Sequence, residues 1–210
     1  MTGHVSHGSG NAQLWEDLYS GSEQVFSGNP NGVLVAEVAE LPPGQALDLG
    51  CGEGADAIWL AERGWQVTAV DIAETALRRA AAAVAADVDV AARVAWTRAD
   101  LASTPPPAGA FDLVSAQYFP LPRQPDHLAL RGLLAAVAPG GTLLVASHDP
   151  ADLAHRHDID PYEYYQPHEI AELLDDAWTV LVDETRARTA PAPAGTNHLR
   201  DTVLRARRRR

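Results

Sequence analysis

The sequence predicts an α/β protein whose helices cover both faces of a mostly parallel sheet. Three observations carry that expectation. Short apolar runs alternate with stretches of helical periodicity, and three of the runs close on an aspartate, Asp48, Asp71 and Asp100. The last two runs are joined by a Pro/Ala/Gly-rich loop that has no helical pattern. Alternation implies parallel strands with crossover helices. A final pair without a helical crossover should be antiparallel, since a parallel return needs a long connection packed on the sheet.

The elements follow in order. Residues 1–11, rich in Gly, Ser and His, are expected to be disordered. Ala12 to Tyr19 suits a short helix with Leu14, Trp15 and Leu18 on one side. Asn29-Pro30 should start a second helix, with Asn capping and Pro at the first position, running to Leu41. Together 12–43 form a helical cap. The apolar run Ala46-Leu47-Asp48-Leu49 is the first strand, followed by a glycine loop and a helix through Ile58 and Leu60 that ends at Gly64. Gln66 to Val70 is the second strand. Glu74 to Ala86 is alanine-rich and hence helical. Strands are then expected at 93–97, 111–116 and 142–146. A helix at 128–137 and a Pro139-Gly140-Gly141 turn precede the last of these. Pro167 opens the final helix, and strands at 178–183 and 199–206 complete the single domain, 12–206. The run 207–210 reads as a solvated basic tail.

Bulk properties narrow the function. The 210 residues carry a formal net charge of −12, which disfavours tracking a nucleic-acid backbone or docking on an anionic membrane. Arg205 and Arg207 to Arg210 are the exception, either a solvated run or a partner contact. One cysteine, Cys51, excludes an intrachain disulfide. No window is apolar enough for a membrane span, and no signal-like stretch opens the chain, so a cytoplasmic protein is expected.

The chemistry concentrates in Asp48-Leu49-Gly50-Cys51-Gly52-Glu53-Gly54. Glycines let the backbone turn and approach a ligand, and the next helix offers unpaired N–H groups. Gly50-x-Gly52-x-x-Ala55 also satisfies a dinucleotide fingerprint, with Asp71 near the ribose-binding spacing. A nicotinamide-dependent oxidoreductase therefore stands as a rival. Asp48 tilts the choice. A diphosphate gains nothing from a carboxylate there, whereas an ammonium does. Asp71 and Asp100 add acceptors on the same rim, suited to a ribose diol and an amino-substituted purine. Ordinary turn and cap roles are the alternative for all three.

These residues, with Val70-Asp71, Ala99-Asp100, Phe111-Asp112-Leu113-Val114 and Pro139-Gly140-Gly141-Thr142-Leu143, resemble the class I S-adenosylmethionine-dependent methyltransferases over roughly 44–147. The front segment, Trp15, Tyr19, Ser27, Gly28 and Asn29-Pro30-Asn31, is similar to small-molecule enzymes related to tellurite-resistance and thiopurine methyltransferases. The resemblance implies a Rossmann-like, seven-stranded, mostly parallel sheet with an antiparallel last strand. It implies that Asp48, Gly50, Cys51, Gly52 and Gly54 hold the methionine part of S-adenosylmethionine. Asp71 would bind the ribose, Ile72 and Leu101 would pack at the adenine, Asp100 would accept from its amino group, and Gln117 would line the floor. Trp15 and Tyr19 would fold over the cofactor.

Methyl transfer is an in-line displacement, so the chain's main task is to hold a nucleophile about 3 Å from the methyl carbon. A base is needed only for a tightly held proton. His148 and Tyr118, after two strand ends, are the catalytic candidates. A lid is expected over 153–166. His155-x-His157 with Asp158 lacks a second ligand cluster, so no metal is expected. The expected partner is a small-molecule methyl acceptor. A non-catalytic S-adenosylmethionine sensor is the remaining rival.

Overall fold

A computed structural model describes residues 7–101, 103–153, 163–189 and 198–210. The elements run α1 (His7–Ser20), α2 (Gly32–Val38), β1 (Gln45–Leu49), α3 (Ala55–Glu62), β2 (Gln66–Asp71), α4 (Glu74–Ala83), α5 (Val88–Ala91) and β3 (Val94–Arg98). They continue with β4 (Phe111–Gln117), α6 (Leu128–Ala136), β5 (Val137–His148), α7 (Pro150–Leu153), α8 (Pro167–Glu172), β6 (Trp178–Ala187) and β7 (Arg200–Arg208).

One seven-stranded sheet has the order β3-β2-β1-β4-β5-β7-β6. The first five strands are parallel, and β7 enters antiparallel between β5 and β6. The expected fold class and antiparallel end are therefore both present. Alternate residues face opposite cores, as strand geometry requires. Leu47, Leu49, Val114, Ala116, Leu143, Val145, Leu204 and Ala206 pack with Leu130 and Leu133 of α6 and with Ile170 of α8. Ala46, Leu113, Leu144, Ala146 and Val203 pack with Val33, Leu34 and Val38 of α2 and with Ala57, Leu60 and Ala61 of α3. The order reverses between β1 and β4, and the loops at the carboxyl ends of those strands frame a crevice.

Several boundaries differ from expectation. Helix α1 begins at His7, inside the stretch expected to be disordered. Its buried side is Trp15 and Tyr19, at i and i+4, while Leu14 and Leu18 are exposed. Helix α2 starts after Asn31, not at Asn29-Pro30, because the Asn31 amide and backbone N–H are drawn to Asp56 at 2.8 and 2.7 Å. Pro139-Gly140-Gly141 is not a turn ahead of β5. It lies inside β5, where the pairing register with β4 shifts and Gly140 takes φ +85°. The arginine run is not a free tail. Arg205, Arg207 and Arg208 belong to β7; Arg205 pairs with Glu37 at 3.1 Å, and Arg208 donates to the Val137 carbonyl at 2.6 Å. Residues 155, 157 and 158, and most of the expected lid, lie outside the described residues.

Candidate active site

Asp48 sits at the carboxyl end of β1 on the α3 face of the sheet, 2% exposed. Its Oδ2 has no hydrogen-bond partner among the described residues. Burial pushes its carboxyl well above the usual aspartate range, with Asp56 and Asp71 adding to the rise and the Ala57 backbone N–H opposing it. Asp56, in the first turn of α3, is raised by burial too, although both Asn31 donors act against the rise. Asp71 closes β2. Its Oδ2 accepts from Gly52 N–H and its Oδ1 from Ala73 N–H, both at 2.9 Å, while burial still raises it. Three buried carboxylates thus share this rim, and none owes any of its shift to a neighbouring cation.

The glycine loop leaves β1 and turns over Asp71. Gly50, Gly52 and Gly54 adopt φ +65°, +52° and +88°, where a side chain is strained. A Cβ on Gly52 would lie 2.8 Å from the Tyr19 hydroxyl, and one on Gly50 would lie 2.6 Å from Phe119 Cδ2. The N-terminal segment and the end of β4 therefore both close on the loop. The segment is tied down by polar contacts. Glu53 accepts from Val25 and Phe26 N–H at 3.1 and 3.0 Å and pairs with Arg79 at 2.9 Å. Arg79 also donates to the Tyr19 carbonyl at 2.8 Å and to the Ser22 carbonyl. Tyr19 is buried, and Trp15 is half-buried beside it with ring centroids 6.4 Å apart. Cys51 is half-buried; burial and then Asp48 push its thiol up, so a thiolate is disfavoured.

On the neighbouring rim, Ile72 and Leu101 are half-buried, and Leu101 packs with Phe119 on the core. Asp100 follows β3, half-buried, with its carbonyl accepting from Ser103 and Thr104 N–H. Gln117 ends β4, buried, with Nε2 donating to Ser115 Oγ at 3.1 Å and no partner for Oε1 among the described residues. Asp48, Asp71 and Gln117 thus stand at the carboxyl ends of β1, β2 and β4, with the glycine loop between β1 and α3 and Tyr19 against Gly52.

Tyr118 directly follows β4 and His148 is the last residue of β5; their rings are stacked with centroids 4.4 Å apart. The His198 ring meets His148 in turn, tilted by 35° with centroids 3.8 Å apart. The Tyr118 hydroxyl is engaged twice. It donates to Asp201 Oδ1 at 2.9 Å and accepts from Arg188 at 3.0 Å. Burial and the Asp201 charge push the phenol well up. Both a lone pair and the proton of the Tyr118 hydroxyl are thus engaged within the chain, and a phenolate is disfavoured. Pattern reasoning missed Asp56, Arg79, Arg188 and Asp201. An acidic residue in the first turn of α3 was the one local signal.

The crevice suits a ligand with a positive end. An unpartnered buried carboxyl oxygen at Asp48 fits an ammonium, and three acidic side chains without a basic partner among the described residues suit a diphosphate poorly. The fold and rim define a class of protein, the doubly wound transferases that bind a cationic nucleoside donor. Comparison with known proteins places the chain within that class. A family profile described as a methyltransferase domain matches residues 46–141. The chain is 30% identical over 195 residues to a ubiquinone biosynthesis O-methyltransferase of Xanthomonas campestris pv. campestris, covering 91% of this chain and 70% of that one. It belongs to the S-adenosylmethionine-dependent methyltransferases. The chain spans 60% to 70% of the length of the curated relatives it matches first.

Solved structures share the fold. An N-methyltransferase, NodS of Bradyrhizobium japonicum WM9 in complex with S-adenosylhomocysteine, superposes with TM-score 0.69 at 18% identity, covering 94% and 97% of the two chains. TehB of Haemophilus influenzae gives 0.65 at 15% identity, covering 93% and 67%. No helix among the described residues is long and apolar enough to cross a membrane.

Proposed function

We propose that this methyltransferase acts on a small-molecule acceptor that presents an oxygen nucleophile. The observation that carries the cofactor half of the reading is Asp48 Oδ2, buried and without a partner at the head of the glycine loop. S-adenosylmethionine, when bound, supplies an electrophilic methyl group. Asp48 holds its ammonium and Gly50, Cys51, Gly52 and Gly54 its amino-acid backbone. Asp71 takes the ribose hydroxyls on the lone pairs left by its two N–H donors. Ile72 and Leu101 flank the adenine, Asp100 accepts from its amino group, and Gln117 offers Oε1 from below. Trp15 and Tyr19 cover the site and exclude water.

The acceptor half rests on the second rim. His148 closes β5 with its ring against those of Tyr118 and His198. Such a ring can take a proton from an acceptor hydroxyl while its orientation is held by stacking. The Xanthomonas relative's O-methyltransferase name supports the oxygen acceptor. The chain's acidic balance weighs against a nucleic-acid substrate.

Calorimetry with S-adenosylhomocysteine, and separately with NADH, tests the cofactor half. Tight binding of the first alone is the expected outcome; binding of NADH alone would sink the reading. For the acceptor half, turnover over a panel of phenols, hydroxyquinolones and carboxylic acids should find a hydroxyl substrate. His148→Gln should then lower kcat by about 10²-fold or more, the usual worth of a general base, with little change in S-adenosylhomocysteine affinity.

A further inference from the structure

Tyr118 has φ +54°, a left-handed conformation that a bulky aromatic residue adopts only under constraint. The constraint is visible. Its N–H donates to the Ala146 carbonyl at 2.7 Å, and its hydroxyl is clamped by Asp201 and Arg188. Arg188 closes the triangle, donating to Asp201 Oδ1 at 2.8 Å. The Arg188 and Asp201 side chains are only 10% and 4% exposed, and Arg188 lies 5.2 Å over the Tyr118 ring. Asp201 belongs to β7 and Arg188 follows β6, so the sheet's antiparallel hairpin reaches back to the end of β4.

The consequence lies in the two neighbours of Tyr118. Gln117 precedes the reversal and stays buried at the end of β4, its amide donating to Ser115 Oγ. Phe119 follows it and is turned onto Gly50, against the backbone of the glycine loop. With Tyr118 in an ordinary extended conformation, the chain would continue along β4 and carry Phe119 away from that loop. We propose that Asp201 and Arg188 are positioning residues, which hold Tyr118 in its left-handed turn and so set Gln117 and Phe119 at the cofactor crevice. They act through Tyr118 and touch neither reactant. The inference rests on the reading that this crevice takes S-adenosylmethionine.

The test is calorimetric titration of the full chain with S-adenosylhomocysteine, paired with thermal unfolding of the unliganded protein. Tyr118→Phe keeps the ring and its stacking on His148 and loses only the clamp. It should bind about tenfold more weakly, as expected for loss of a hydrogen bond to a charged group. Asp201→Asn keeps an oxygen that can accept from both Tyr118 and Arg188, so it should bind within about threefold of the parent. Asp201→Ala removes that oxygen and should match or exceed the Tyr118→Phe loss. Combining Tyr118→Phe with Asp201→Ala should add little to either alone, because both break one unit. A merely structural clamp would lower the melting temperature of Tyr118→Phe and leave its affinity at the parent value; that outcome overturns the proposal. An effect of Asp201→Asn as large as that of Asp201→Ala overturns it as well. If the parent protein itself fails to bind S-adenosylhomocysteine, the cofactor reading falls first, and a parent that binds while Tyr118→Phe binds equally well sinks the positioning role alone.

Discussion

Two rims of the crevice bury charge in opposite ways. At the end of β1, the carboxylates of Asp48, Asp56 and Asp71 are buried without a cation among the causes of their shifts, and one oxygen of Asp48 has no partner. At the ends of β4 and β7, Asp201 is as deeply buried but meets Arg188 at 2.8 Å and the Tyr118 hydroxyl at 2.9 Å. The second rim is complete within the chain. Removing a partner there leaves an uncompensated charge, which is strongly destabilising. The first rim leaves one carboxyl oxygen, Asp48 Oδ2, without a partner among the described residues. On the proposed reading that oxygen is where the donor's ammonium is met.

The sharpest way to break this contrast is Asp48→Ala. Loss of one partner from a buried charged contact costs at least about 2 kcal/mol, so affinity for S-adenosylhomocysteine should fall roughly thirtyfold or more. The unliganded protein should melt at a higher temperature, since an unpaired buried carboxylate has gone. A lower melting temperature together with parental affinity would erase the distinction between the rims.

The pH dependence comes next. Burial holds Asp48 above the aspartate range, so between the ordinary value and the raised one the folded chain binds a proton that the unfolded chain has released. Unfolding free energy then falls as pH rises through that window. A cationic ligand binds the ionised form, so its affinity should rise across the same window, with proton release. Calorimetry in two buffers of different ionisation enthalpy would register the released proton; proton uptake would contradict the sign.

Asp71→Asn should follow, with about tenfold weaker binding and a loss of stability of roughly 1–3 kcal/mol. The amide offers one acceptor where Gly52 and Ala73 supply two N–H donors. The smallest effect belongs to the tether of the N-terminal segment. Arg79→Ala should speed protease cleavage between residues 20 and 29 and change the equilibrium dissociation constant less than about threefold, because a partly exposed ion pair contributes up to about 1 kcal/mol.

Much of the fold was legible because burial leaves a local trace. Ala46 to Leu49 and Leu143 to Ala146 are short runs almost wholly apolar, and the sheet buries both of their faces, as covered parallel strands require. The glycine loop was legible because its backbone angles demand particular residues. Boundaries failed where a distant contact overrode a local signal. Asn31 serves Asp56 instead of capping α2 with its side chain, and Leu14 and Leu18 face solvent because Tyr19 is captured by the glycine loop. At the site, the residues on strand ends were readable from their position. Arg188 and Asp201 were not, since Asp201 stands 83 positions from the tyrosine it holds and no periodicity links them.

The insertion of β7 between β5 and β6 orders events during synthesis. Five parallel strands and β6 emerge from the ribosome before the strand that joins the two groups, so β6 has no neighbour in the sheet until residues 200–208 arrive. Asp201 arrives with that strand, and a nascent chain lacking it therefore carries a glycine loop and three acidic strand ends but an unsecured Tyr118. On the proposed reading, competence to seat the donor comes with the strand that carries Asp201, after the glycine loop and the acidic strand ends have been made.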